Sequence, residues 1–89
     1  MKVQRLTPEY LADIGTRIKT IRTYLKYDQK QLAKYFRTSQ SQLSKIEAGL
    51  AEPGIYHLLM IKKLADTDEY LRENLTWSWL LEGKGKGVF

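Results

Sequence analysis

Arg37 and Thr38 are all that separates two short helical patterns, and that two-residue link constrains the fold more than any other feature. Upstream, Asp28 is followed three residues later by Gln31, the spacing of a capping box. Leu32, Ala33 and Phe36 then continue at helical spacing. Downstream, Ser39 and Gln42 repeat the capping spacing, and Leu43 and Ile46 supply an apolar side. Gly49 follows, suited to a left-handed C-terminal cap. Two short helices on so brief a connection have the geometry of a helix-turn-helix.

The flanking segments also read as helices. Leu11, Ile14, Ile18, Ile21 and Leu25 lay one apolar stripe along a helix over Pro8–Leu25, with Thr7-Pro8 as its cap and first residue. Gly15 interrupts this stripe and weakens the helix by about 1 kcal/mol relative to alanine. Pro53-Gly54 precedes a fourth helix carrying Ile55, Leu58, Ile61 and Leu64. Residues 66–74 are polar and acidic and read as a short extra turn or helix capped by Asp66 or Thr67. Thr76 caps a short apolar helix, Trp77–Glu82, that Gly83 ends. From Gly83 to Phe89 glycine alternates with lysine, and this tail is expected to be mobile. No β-type alternation occurs, so the fold expected is all-α. One domain spans 1–83, with the helix-turn-helix at 28–49 and a Gly/Lys tail at 84–89.

Composition removes several functions. There is no cysteine and one histidine, so disulfides, Cys-type zinc sites, thiol nucleophiles and His-based metal clusters are excluded. His57 has no second ligand three or four residues away. Asp66, Asp68, Glu69 and Glu73 read as a solvated helix face, and the Gly/Lys tail lacks the strand and helix around a phosphate-binding loop. No cofactor, metal, small-molecule ligand or catalytic role is expected. Without a long apolar run there is no signal peptide or membrane span, and the chain reads as cytoplasmic. The net charge of +5 is uneven: residues 1–50 carry ten basic and four acidic side chains, residues 51–89 five and six. A basic half of this kind suits a polyanion.

The run from Asp28 to Gly49, D-Q-K-Q-L-A-K-Y-F-R-T-S-Q-S-Q-L-S-K-I-E-A-G, resembles the lambda-repressor-like family, also called Cro/XRE helix-turn-helix proteins. Ile14–Arg22 is similar to the family's first helix, Pro53 to the start of its fourth, and Leu75–Gly83 to its closing W-L-L-x-G segment. The resemblance covers residues 14–85 and implies a compact five-helix lambda-repressor-like domain. It further implies specific double-stranded DNA binding as a homodimer by a transcriptional regulator, a repressor of phage or bacterial type. An antitoxin that also binds DNA and a toxin partner, and an interaction adaptor that has lost DNA binding, stay open as alternatives. Two positions depart from the family pattern. Arg37 stands where glycine is usual, which asks an arginine to adopt a left-handed conformation at about 1 kcal/mol, and Thr38 stands where an aliphatic residue is usual.

At ~100° per residue, Leu43, Ile46 and Glu47 share one side of the third helix, and Ser41, Ser44, Lys45 and Ala48 the other. That small polar face suits a major groove. The resemblance places Gln40 on adenine. Lys45 suits guanine, and Ser39, Ser41 and Ser44 are adaptable base contacts. Gln29, at the start of the second helix, is expected to hold a phosphate and to buttress Gln40. Lys30, Lys34, Arg37, Thr38 and Arg17 complete the phosphate contacts. The loop Leu50-Ala51-Glu52 lacks the basic residues the family often carries there. Glu47 must turn away from DNA and find a cation, and the resemblance names Arg22 as its partner in a structural ion pair. Trp77 and Trp79 point to opposite sides of their helix: one closes the core, and the other is a candidate dimer contact.

Overall fold

The apolar stripe of the first helix is the spine on which the other elements assemble. In the computed structural model, which describes residues 8–85, 88 and 89, α1 runs Pro8–Tyr24 and buries Ile14, Ile18 and Ile21. The expected Thr7 cap lies outside the described residues. The helix ends in a Schellman turn. The Tyr27 N–H donates to the Arg22 carbonyl and the Lys26 N–H to that of Thr23, with Lys26 at φ 64°.

Helix α2, Gln29–Tyr35, begins at the full capping box: Asp28 accepts from the Gln31 N–H at 2.7 Å, and the Gln31 side chain accepts from the Asp28 N–H at 2.9 Å. Helix α3, Gln40–Glu47, begins at Ser39, whose Oγ accepts from the Gln42 N–H. Between them, Arg37 has φ 56° and the Thr38 N–H donates to the Ala33 carbonyl, the same Schellman geometry built on an arginine. Gly49, at φ 78°, closes α3 in the same way.

Helix α3 packs against both α1 and α2. A Cβ on Gly15 would stand 2.6 Å from the Glu47 carbonyl oxygen and closer still to that of Ile46. The glycine that weakens α1 as a helix is therefore what lets α3 lie against it. A Cβ on Gly49 would in turn stand 2.6 Å from Ala12 Cα.

Helix α4 spans Ile55–Ala65, α5 Glu69–Asn74 and α6 Trp77–Glu82. The all-α architecture stands, with six helices among the described residues in place of five. The additional one is the acidic segment, and its cap is Asp68, which accepts from the Leu71 N–H, instead of Asp66 or Thr67. Those two are used by α4: Asp66 pairs with Lys62 at 2.9 Å, and the Thr67 hydroxyl donates to the Leu64 carbonyl. Leu32, Phe36, Leu43, Ile46, Ile61, Leu64, Leu71, Leu75 and Leu80 join the α1 isoleucines in one core. No helix among the described residues is long and apolar enough to cross a membrane.

The tail departs from the expectation of mobility at its last two residues. Val88 is buried and its carbonyl accepts from the Tyr70 hydroxyl. The Phe89 ring sits among Tyr24, Tyr70 and Trp79, with centroids 5.1, 6.5 and 6.2 Å away. The Gly/Lys composition hides one apolar side chain that enters the core, Val88, and one that rests on its aromatic neighbours, Phe89.

Candidate nucleic-acid interface

The inward side of α3 does the packing, and its outward side is small and polar apart from Gln40 and Lys45. Leu43 and Ile46 are fully buried, and Gln40, Ser41, Ser44, Lys45 and Ala48 are exposed. The α2–α3 turn places Arg37 in solvent next to this face and leaves Thr38 half-buried. Lys30 and Lys34 are exposed on α2. None of Lys30, Lys34, Arg37 and Lys45 is in an ion pair among the described residues. Ser39 is exposed, but its Oγ already accepts from the Gln42 N–H at 3.0 Å, which leaves its hydroxyl proton to donate outward.

The acid of α3 is turned inward. Glu47 is 7% exposed, with Oε2 2.7 Å from Arg22 Nε and Oε1 3.1 Å from Arg22 Nη2, a two-pronged pair. Arg22 Nη1 also donates to the Tyr27 carbonyl at 2.8 Å. Gln29 Nε2 donates to Glu47 Oε1 at 3.0 Å. The network joins the end of α1, the α1–α2 loop, the first turn of α2 and the end of α3. It satisfies the buried carboxylate and holds negative charge away from the exposed face.

Two residues expected to contact phosphate also have partners within the fold. Gln29 gives one amide N–H to Glu47 and so also supports the ion pair. The reason is local: a buried carboxylate oxygen within reach binds an amide more strongly than water does. Arg17 is half-buried, and its Nη1 donates to the Leu80 carbonyl at 3.3 Å. The last carbonyls of α6 have no partner within their own helix, and a guanidinium supplies one. Spacing alone gave no sign of either, since both contacts join elements distant in sequence.

His57, set aside as a ligand, has a structural place. Its Nδ1 accepts from the Gly54 N–H at 3.2 Å, capping α4, and its ring stacks on Phe36 with centroids 5.3 Å apart. Burial lowers its pKa below the ordinary histidine value. The tryptophans divide as alternation demands. Trp79 is half-buried against the core, while Trp77 is exposed and lines a depression of about 300 Å³ with Tyr10, Ser78, Leu81 and Glu82.

A family model described as helix-turn-helix matches residues 18–67, more than half of the chain. The match begins inside α1, takes in α2, α3 and α4, and ends just after α4. No curated protein and no solved structure matches the chain.

Proposed function

The chain belongs to the Cro/C1-type helix-turn-helix family, also called XRE, and from that premise we propose that it binds specific double-stranded DNA as a homodimer and represses transcription. The family is one of DNA-binding regulators. The observation that carries the reading is the exposed face of α3. It is narrow, polar and free of carboxylates, because Glu47 is folded inward onto Arg22. A helix of this profile enters a major groove without steric or electrostatic conflict.

On this reading Gln40 reads adenine through its amide, and Lys45 donates to guanine O6 and N7. Ser41 and Ser44 make adaptable contacts, and Ser39 and Thr38 touch a thymine methyl or a phosphate. Lys30, Lys34 and Arg37 hold the backbone and set the register without reading sequence. Two-fold pairing places two such helices one turn of DNA apart, about 34 Å. Trp77, the more exposed tryptophan, is the candidate of its pair for the dimer contact. A repressor needs only to occupy its site, which this face supplies.

The test begins with selection of bound sites from random duplexes. Lys45→Ala and Gln40→Ala are each expected to cost about 1–3 kcal/mol on the selected site and to relax preference at one position. Lys34→Ala is expected to weaken all sequences alike and to flatten the salt dependence. Affinities within twofold of wild type for both α3 substitutions overturn the assignment.

A further inference from the structure

Helix α4 carries an apolar stripe that the core does not use. Ile55 is 77% exposed, Tyr56 46% and Leu59 46%, while Ile61, Leu64 and Ala65 on the other side are buried. At ~100° per residue, Ile55, Tyr56, Leu59 and Lys63 fall within roughly one third of the helix circumference, facing away from the core. An isoleucine left this open in the first turn of a well-capped helix is unusual in a chain that otherwise buries its isoleucines.

The charges at the two ends of the stripe indicate what covers it. Glu52, just ahead of the helix, is exposed at one end. Lys63 is exposed at the other, and neither is in an ion pair among the described residues. The neighbouring Lys62 is already neutralised by Asp66. The stripe therefore runs acid, apolar, apolar, base. Laid antiparallel on a copy of itself, it sets each Glu52 against the other copy's Lys63, with Ile55, Tyr56 and Leu59 between them. Laid parallel, like charges meet. A surface complementary to its own two-fold image is what an isologous dimer requires.

We infer that α4 is the seam on which a second copy of this chain seats, with two-fold antiparallel pairing and reciprocal Glu52–Lys63 contacts. This deepens the homodimer reading and rests on it for its purpose, the pairing of two α3 helices on DNA. The stripe takes precedence over the Trp77 face because it ends in two opposite charges with no ion pair among the described residues, whereas Glu82, the acid beside Trp77, is already near Lys84.

The experiment is sedimentation of the full chain without DNA, beside binding to a duplex holding one half-site. Wild type is expected to dimerise. Glu52→Lys and Lys63→Glu are each expected to weaken dimerisation by about tenfold or more, since each sets like charges together twice across the seam. The double reversal E52K/K63E restores the dimer, which a folding defect cannot imitate. Leu59→Ser removes apolar contact and is expected to give a folded monomer. Single reversals without effect, a double reversal without rescue, or dissociation by Trp77→Ala alone overturns the proposal. A wild type that stays monomeric also overturns it. Half-site binding is read independently. A monomer that still binds DNA ends the α4 proposal and leaves the DNA-binding reading standing, and a dimer blind to DNA does the reverse.

Discussion

At the scale of single residues, Glu47 decides the most. Its carboxylate receives three hydrogen bonds, two from Arg22 and one from Gln29. Arg22→Ala leaves that carboxylate buried with one donor, and Glu47→Ala leaves a guanidinium and an amide facing the gap. Each is expected to cost about 3 kcal/mol or more, seen as a lowered denaturant midpoint. Arg22→Lys keeps the charge and loses the fork, so it is expected to fall between wild type and Arg22→Ala. His57 gives a second prediction at this scale. Its folded pKa lies below the unfolded one, so the unfolded chain binds the proton first. Its stabilising contribution is complete above the ordinary histidine value of about 6.5 and is lost as pH falls from there through the lower folded value. Melting temperature measured against pH is expected to drop across that window in wild type and to drop less in His57→Gln. Equal slopes contradict the assignment.

At the scale of elements, the three Schellman endings show how much of the fold is legible in sequence. Gly49 announces its own turn, whereas Lys26 and Arg37 hold the same left-handed geometry without glycine, at φ 64° and 56°. The Arg37 turn was readable from the capping patterns on either side, and nothing local marked Lys26. Arg37→Gly is expected to raise stability by about 0.5–1 kcal/mol by relieving the left-handed arginine. If Arg37 holds a phosphate as proposed, the same change is expected to lower DNA affinity. Gly15 is the opposite case. Read as a helix residue it costs about 1 kcal/mol against alanine. Read in the fold it admits the carbonyls of α3, so Gly15→Ala is expected to destabilise by about 1–3 kcal/mol through overpacking. Thermal unfolding of the two variants checks both signs. The outward face of α3 was legible because its polarity follows helical periodicity. The second duties of Gln29 and Arg17 were not, because each depends on which distant helix end comes to rest beside it.

At the scale of the whole molecule, the last two residues close the core on one side, Val88 by burying and Phe89 by resting on the surface. Val88 fills the core, and Phe89, itself exposed, leans on Tyr24, Tyr70 and Trp79. A tail composed of glycine and lysine gave no sign of this, since two apolar residues set no period. The seal has an optical consequence. Trp79 sits in a half-buried site whose edge meets Phe89, and Trp77 is the more exposed of the two. In a Trp77→Phe background the remaining indole becomes a gauge of the seal. Phe89→Ala is expected to move its emission to longer wavelength while the helical circular dichroism stays in place, and an unmoved emission means that the tail does not dock. The complementary Trp79→Phe background leaves an indole that looks outward. Two single-tryptophan proteins would thus report on opposite sides of one molecule, the C-terminal closure and the open face of α6, with no attached dye.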